Sequence, residues 1–480
     1  MFASIVNNDQ LCYPEGDAFF SPSASYPEYP FKNISTKPNR VYHAVRECLA
    51  QSGHDAERFG TPDWNPLKNY IKQGDKVFLL CNFVYHHRPQ ESLRDFFAKC
   101  THASILRALI DYVYIALKGD GRISFGNAPL QSCVWEQVLI DTGANIILEF
   151  YKQNHVEVAA KDLRLFMAPR NPLGQVVSSK EVHIDAGIIV RLDNKSLLDG
   201  LYKNNRNIHF RVADYNPDRI EKIHGLHRHE YIINKEILSS DVVFSVPKLK
   251  THEKVGITVG LKGFVGCVGH KDCLAHHRFG SKEINGDEYP GNSRLQILLS
   301  KLHDFVYRRN YPQYLNSFFE IIDKNLRGIA RRLFNKIQAG AWYGNDTAWR
   351  MTIDLAYIMH FANTDGLISE KPQRRHLVFI DGVIGGEGNG PLSPSPVDSR
   401  LVIFSDNVVF GDLIACKLMG YDSEKIPLLY QSERNNKLVD ISALQNIYCI
   451  MNEKRIRFTS LKPVLNRSFM PPVGWKGYLS

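Results

Sequence analysis

Residues Asp241-Val-Val-Phe-Ser-Val-Pro-Lys-Leu-Lys-Thr-His-Glu-Lys254 join a strand pattern to a run of cationic side chains. The apolar run that begins at Val242 has the length and composition of a buried strand. Proline ends a central strand because it has no N–H to donate, so the residues after Pro247 are expected at the edge of the sheet. If the chain stays extended there, side chains alternate between the two faces of the strand. One face then carries Lys248, Lys250, His252 and Lys254.

One more lysine follows within a glycine-rich stretch, Gly256-Ile-Thr-Val-Gly-Leu-Lys-Gly-Phe-Val-Gly266. Glycine lets the backbone turn sharply or approach a ligand closely. Ammonium groups that are crowded together repel one another, so they either reach into water or bind an anion, and their pKa falls towards the range useful in acid–base chemistry. We therefore expect Lys248, Lys250 and Lys262 to bind an anionic ligand. A solvated cationic face is the simpler alternative.

A second candidate segment is Asp381-Gly-Val-Ile-Gly-Gly-Glu-Gly-Asn-Gly-Pro391, which follows the apolar run 376–380. We expect Asp381 at the C-terminal end of a strand, beside a glycine loop that aims N–H groups at an anion. Asp381 and Glu387 are candidates for a general base or for Mg²⁺ ligands. Gly388, Asn389 and Gly390 are the expected ligand contacts, and a tight structural turn is the alternative. The signatures of a P-loop and of a dinucleotide fold are both missing.

Histidines are dense in the same part of the chain: seven of the 18 lie between His224 and His277. Neutral imidazoles bind transition metals, but no recognised ligand spacing is present, so no metal ligand is assigned. We expect His252 or His276 to donate or accept a proton at the ligand.

Strand and helix patterns alternate around these segments. Helices are expected at 41–50, 103–117 and 132–142, and strands at 76–81, 122–125, 145–150, 163–167, 184–191, 208–212, 242–246, 376–380 and 401–404. Such alternation is typical of βαβ units. The sequence predicts an α/β fold with a mostly parallel or mixed sheet flanked by helices, in two lobes, with a helical insertion.

The length of 480 residues predicts more than one core. The expected divisions are an N-terminal arm at 1–40 that lies on the fold or is partly loose, a first α/β lobe at 41–240, a second lobe at 241–292 and 339–430 that carries the site, a helical insertion at 293–338, and a C-terminal extension at 431–480.

The insertion has apolar residues at helical spacing in two helices that break near Pro312, and it is rich in lysine and arginine. The basic positions are Lys301, Arg308, Arg309, Lys324, Arg327, Arg331, Arg332 and Lys336. A buried apolar stripe below a solvated basic face is the simpler interpretation. The alternative is a peripheral contact with anionic lipid.

Composition limits the partners and the location. A net charge of +9 favours anionic partners. The absence of nucleic-acid signatures argues against DNA or RNA. No apolar run approaches the roughly 20 residues of a membrane span, and the N-terminus lacks a secretion pattern. Nine scattered cysteines suit a reduced compartment, so a cytoplasmic location is expected.

Three blocks of this sequence resemble the family of domain of unknown function 362, DUF362. A PKxKTH-like block is matched by Pro247 to His252, a glycine-bracketed lysine by 260–263, and a later histidine by His276 or His277. The second block is matched by 381–391 and the third by 405–420. Some members carry a ferredoxin-like cluster, whose cysteines are missing here, so we expect no iron–sulfur centre.

The resemblance implies an uncharacterised cytosolic activity, linked in long members to cell-surface polysaccharide production. We expect an enzyme that acts on a phosphorylated or carboxylated small molecule, with the cofactor unknown and a divalent cation as a candidate. Two alternatives remain open. Lys262 and His276 are loosely similar to the lysine and histidine that hold the nickel-pincer cofactor of lactate racemase-like proteins. The chain could also be a non-catalytic protein that docks on an anionic membrane or partner.

Overall fold

A mixed β-sheet with helices on both faces forms the centre of the protein. The computed structural model describes residues 1–169, 180–203, 205–212, 215–291, 293–308, 313–333, 337–440 and 447–479. The strands in these ranges are β1 (Ala3–Asn7), β2 (Lys76–Cys81), β3 (Arg122–Asn127), β4 (Val158–Asp162), β5 (Phe166–Met167), β6 (Lys180–Glu181), β7 (Gly187–Arg191), β8 (Phe210–Arg211), β9 (His224–Gly225), β10 (Arg228–Asn234), β11 (Val242–Val246), β12 (Lys248–His252), β13 (Gly256–Thr258), β14 (His277–Arg278), β15 (Arg375–Asn389), β16 (Ser393–Val397), β17 (Leu401–Ser405), β18 (Tyr448–Met451) and β19 (Lys454–Arg457).

The helices connect these strands and cover the sheet. In the described ranges they are α1 (Arg40–Ala50), α2 (Leu93–Lys99), α3 (Ala103–Leu117), α4 (Trp135–Thr142), α5 (Ala144–Gln153), α6 (Pro217–Ile223), α7 (Lys235–Leu238), α8 (Gly260–Gly263), α9 (Arg294–Arg308), α10 (Gln313–Leu333), α11 (Ala348–Phe361), α12 (Val408–Leu418) and α13 (Pro427–Ser432).

The main sheet runs in the order β19-β18-β1-β17-β15-β11-β2-β3-β4. The strands from β15 to β4 are parallel, whereas β17 is antiparallel to both of its neighbours. β12 and β16 both pair with the C-terminal half of β15, and β13 pairs with β12. The predicted α/β fold with a mixed sheet is confirmed. Strands from both sides of residue 240 share this sheet, and the division into lobes stays a prediction.

Alternating side chains of β11 supply two separate cores, one on each face of the sheet. Val242, Phe244 and Val246 belong to the core that includes α1 and α3, while Val243 belongs to the core that includes α11 and α12. A strand that is apolar on both faces has to be covered on both, which explains the three-layer arrangement.

Most elements that the sequence predicted are present, and α3 has the predicted bounds. The strand expected at 145–150 is wrong, because these residues belong to α5. Ala144, Ile147 and Phe150 are buried at helical spacing, and the adjacent apolar residues around them imitate a strand in the sequence.

Both ends of the chain take part in the main sheet. β1 lies between β17 and β18, so the first residues form an inner strand rather than an arm on the surface. β18 and β19 come from the predicted C-terminal extension and form the edge next to β1. The sheet therefore needs residues that are more than 440 positions apart, such as Ser4 opposite Ile450.

α9 and α10 confirm the predicted helices of the insertion, but the polar residues face the protein. Gln296 and Ser300 are 6% and 8% exposed, and the Ser300 hydroxyl donates to Glu288 over 2.7 Å. Leu298 and Phe318 are 61% and 57% exposed. The expected buried apolar stripe is therefore wrong at these positions. The predicted break at Pro312, and Arg309 and Lys336, lie outside the described residues.

The length and apolarity of the helices bear on whether the part of the chain that the structure describes could cross a membrane. No single helix there has the length and apolarity of a membrane span, and only α2 and α3 taken together, bent by 44°, reach them.

The short helix α8 is held against α12 by a buried carboxylate. The N–H groups of Gly260 and Leu261 donate to the two carboxylate oxygens of Asp412 over 2.7 and 2.9 Å. Burial raises the pKa of Asp412 to about 8, against the effect of these backbone hydrogen bonds. A Cβ at Gly260 would lie 2.7 Å from Cγ1 of Val408, so the close packing of α8 on α12 requires glycine.

This contact predicts opposite effects for two glycines of the same helix. Gly260→Ala forces α8 away from Val408 and should lower the free energy of unfolding by about 1–3 kcal/mol. Gly263→Ala meets nothing within 4 Å in a right-handed helical conformation, and it should be neutral or raise that free energy by about 0.4–1 kcal/mol. Urea unfolding of both variants checks this. Equal effects of the two substitutions would contradict the packing described here.

Candidate functional site

The chain stays extended after Pro247, as the sequence predicts. β12 pairs parallel with β15, with Lys248 opposite Asp381 and Lys250 opposite Gly386, and it pairs antiparallel with β13. Both lysine side chains are buried, and His252 is only 4% exposed. The cations therefore enter the interior instead of forming a solvated face.

Lys248 and Asp381 form an ion pair that the protein satisfies internally. Their charged atoms lie 3.0 Å apart. Asp381 also accepts hydrogen bonds from the Tyr13 hydroxyl over 2.6 Å and from the His102 N–H over 3.1 Å, and Lys248 donates to the same hydroxyl. Burial lowers the pKa of Lys248, although the Asp381 charge raises it.

Beyond this pair lies a group of six basic side chains, here called the lysine–histidine cluster: Lys250, His252, Lys254, Lys262, Lys271 and His276. The charge of Lys262 acts on both histidines, and Lys250, Lys254 and Lys271 act on Lys262. β12, α8 and the loop before β14 thus bring their cations to one place. Lys250 and Lys262 act on each other here, whereas Lys248 pairs with Asp381, and ligand binding by these three lysines stays a prediction.

Burial and mutual repulsion weaken the hold of these groups on protons. Burial, followed by the charges of Lys271, Lys254 and Lys250, lowers the pKa of Lys262 from 10.5 to about 7. Burial also lowers the pKa of Lys250 and of Lys271 to about 7. Burial, and then the charge of Lys262, lowers the pKa of His252 and of His276 well below 6.5.

Lys250 and Lys271 of the cluster donate hydrogen bonds to neutral oxygens. Lys250 donates to the Asn82 side chain and to the Lys99 carbonyl, both over 2.6 Å, and Lys271 donates to the Val265 carbonyl over 2.7 Å. Among described residues, Lys99 forms an ion pair with Glu91, but no carboxylate lies within ion-pair distance of Lys250, Lys262 or Lys271. A buried positive charge without a counter-ion is costly, so this arrangement favours an anion.

The glycine block forms a strand, which corrects the expected loop. Residues 381–389 continue β15, and their backbone pairs with β12 and β16. The glycines permit close strand contact: a Cβ at Gly386 would lie 2.9 Å from Cβ of Lys250, and one at Gly390 would lie 2.1 Å from the Thr251 carbonyl oxygen. The glycines of this block therefore have a structural role in a paired strand, which is neither the expected ligand loop nor the tight turn.

The C-terminal segment holds the far end of this block. The Gly388 N–H donates to the Met470 carbonyl over 2.7 Å, and Asn389 accepts from the Val473 N–H over 3.0 Å. Glu387 accepts hydrogen bonds from both terminal nitrogens of Arg467, over 2.7 and 2.9 Å. A ligand contact at Gly388, Asn389 and Gly390 stays a prediction. In the structure the backbone of the two glycines and the side chain of Asn389 already form hydrogen bonds within the protein.

The two predicted carboxylates do not meet. Asp381 contacts Tyr13 and Lys248, while Glu387 contacts Arg467. Within the described ranges, no group of three or more His, Cys, Asp or Glu side chains could hold a metal ion. A divalent cation and the nickel-pincer alternative therefore stay predictions.

Sequence reasoning missed several residues around the site. Tyr13, Asn82 and Lys99 lie more than 140 positions before β12, and no local motif marks them. Lys271 lies in the histidine-dense part of the sequence, but only Lys248, Lys250 and Lys262 were predicted to bind the ligand.

One family model matches a part of this chain that is shorter than half of it. The family model described as domain of unknown function (DUF362) matches residues 199–417. The predicted DUF362-like assignment is confirmed over this segment. The DUF362 segment contains the whole lysine–histidine cluster, whereas Tyr13, Lys99 and Arg467 lie outside it.

Two known proteins show distant similarity to this chain. A protein of Synechocystis sp., named as thylakoid-associated, is 21% identical over 202 residues, which are 42% of this chain and 40% of that protein. A crystal structure of a Thermotoga maritima protein is 13% identical and has a TM-score of 0.30, with 81% of this chain and 59% of that chain covered. The chain thus spans less than two thirds of either protein, and the low TM-score supports no argument about the fold.

The Lys248–Asp381 pair generates a stability prediction. Lys248→Met leaves a buried carboxylate without its cation and should lower the free energy of unfolding by about 3–5 kcal/mol. The double variant Lys248→Met/Asp381→Asn removes both charges and should regain part of that loss. Urea unfolding of the parent, both single variants and the double variant gives the coupling energy. A double variant that is less stable than Lys248→Met would contradict the pairing.

Proposed function

We propose that this protein binds a phosphorylated or carboxylated small molecule in the lysine–histidine cluster and acts on it as an enzyme. The observation that carries the proposal is that Lys250, Lys262 and Lys271 are buried together without a described carboxylate partner. An anionic ligand would supply the missing negative charge. It would also hold the lysines in their protonated form, because an opposite charge nearby raises a lysine pKa.

The proposed chemical roles follow from the pKa values and from exposure. Near pH 7, lysines with a pKa of about 7 are present both as ammonium and as neutral amine, so they can donate or accept a proton. His276 is only partly buried, and we assign it to the open side of the cluster as the proton donor or acceptor. His252 is assigned to the inner side. Asp381 is a positioning residue that fixes the start of β12 through Lys248.

Four further predictions from the sequence concern the location, the pathway, a non-catalytic role and a nickel cofactor. A cytoplasmic location and a role in cell-surface polysaccharide production stay predictions. The non-catalytic alternative uses the basic helices of residues 293–338 together with the cluster lysines to dock on an anionic membrane or partner, and it stays a prediction. A nickel-pincer cofactor would need Lys262 and His276, which do lie in one cluster.

A binding screen tests the proposal directly. Thermal unfolding is followed with hexose phosphates, nucleotides and small carboxylates for the parent, Lys262→Met and the control Lys371→Met, which replaces an exposed lysine. A ligand at a hundredfold excess over its Kd should stabilise the parent and the control by about 2.7 kcal/mol, and Lys262→Met by much less. Equal stabilisation of all three proteins, or none in any of them, would refute a ligand at the cluster.

The lowered lysine pKa values also predict how stability depends on pH. Between pH 7 and 10.5 the ligand-free folded state has lost the Lys262 proton and the unfolded state keeps it, so stability rises with pH across this window. Below pH 7 both states are charged and the folded state bears the full cost of burial. Lys262→Met should therefore exceed the parent in stability most at pH 7 and below.

Chemical unfolding at a series of pH values measures this difference. The advantage of Lys262→Met should shrink steadily as the pH approaches 10.5. A difference that is constant across the window would mean that Lys262 keeps an ordinary pKa.

A further inference from the structure

The outer face of the α9–α10 hairpin exposes large apolar side chains. Leu295 and Leu298 of α9 are 48% and 61% exposed, and Phe318 and Ile329 of α10 are 57% and 54% exposed. In a helix, positions 295 and 298 share a face, and so do 318 and 329. A cluster of large exposed apolar residues marks an interaction surface, whereas single ones do not.

The inner face of the hairpin explains why the apolar residues point outwards. His303 of α9 contacts Asp323 of α10 over 3.0 Å, and Ser300 donates to Glu288. Asp304 forms an ion pair with Arg211 over 2.7 Å. These polar contacts fix the hairpin to the rest of the protein, so rotation of the helices to bury their apolar residues would break them.

The charges beside the apolar residues are positive. Arg294, Lys301 and Arg332 are exposed on these two helices. The described acidic side chains face inwards, because Asp304 pairs with Arg211 and Asp323 is only 1% exposed. Apolar residues that are flanked by exposed cations, without exposed acids among the described side chains, complement an anionic lipid surface.

A second copy of the chain fits this surface less well. In a two-fold dimer the same patch lies on both subunits, so exposed cations of one copy would approach those of the other. Anionic headgroups neutralise these cations, and the acyl region accepts the leucine, isoleucine and phenylalanine side chains.

We propose that the outer face of α9 and α10 docks on a membrane that contains anionic lipid, with both helices lying in the interface. Leu298 and Phe318 enter the boundary between headgroups and acyl chains, and Lys301 contacts the headgroups. The proposal uses residues separate from the lysine–histidine cluster and goes beyond ligand binding there.

Co-sedimentation of the full chain with vesicles tests the proposal. Phosphatidylcholine vesicles are compared with vesicles of phosphatidylcholine and phosphatidylglycerol. The parent should sediment with the anionic vesicles. Leu298→Asp and Phe318→Asp should each weaken binding about tenfold or more, because each removes an apolar side chain that the bound membrane buries. Lys301→Glu should weaken it about fivefold or more.

A matched control separates docking from general stickiness. Leu367→Asp replaces an exposed leucine, 68% exposed, outside the hairpin and should bind as the parent does. Circular dichroism and size-exclusion chromatography establish that the variants are folded and report their oligomeric state. Three results would overturn the proposal: no vesicle binding by the parent, equal loss in Leu367→Asp, or a parent dimer that Leu298→Asp dissociates without any vesicle binding.

Discussion

A buried ammonium group needs a counter-ion or has to give up its proton, and this constraint shapes the centre of the protein. Lys248 has its counter-ion in Asp381. Lys250 and Lys271 donate to neutral oxygens, and Lys262 has other lysines nearby. Burial therefore lowers the pKa of each of these three lysines to about 7. A group of buried cations of this kind is costly for the free protein and favourable for an anion that binds to it. An anion that binds to the cluster neutralises these charges, and this contributes favourably to its binding free energy.

The scaffold explains how so many cations come together. β11 is covered on both faces and carries the chain to Pro247, after which β12 continues beside β15. Glycines in β15 allow the close approach of the two strands, and Asp412 holds the start of α8 so that Lys262 reaches the cluster from another direction. Tyr13 and Arg467, from the two ends of the chain, fix Asp381 and Glu387. The DUF362 segment thus depends on contacts from outside its own bounds.

The sequence allowed the fold class and the cationic strand to be predicted, because both follow from local periodicity. Val242 to Val246 is apolar on both faces, and the period of two placed Lys248, Lys250 and His252 correctly in β12. Periodicity shows which residues share a helix face, but it does not show which face meets the protein, so Leu298 and Phe318 were assigned to the wrong side. The role of the glycines in and just after β15 could not be predicted either, since it depends on Lys250 and Thr251 as neighbours in space.

The lysine pKa values test this account most directly. Protein in which the lysine ε-carbons carry ¹³C is titrated by NMR without ligand, and Lys262→Met and Lys250→Met assign the two resonances. We predict that both lysines titrate near pH 7, more than three units below an ordinary lysine. Titration of both above pH 10 would show that their charges are already neutralised or solvated, and it would contradict an anion site in the lysine–histidine cluster.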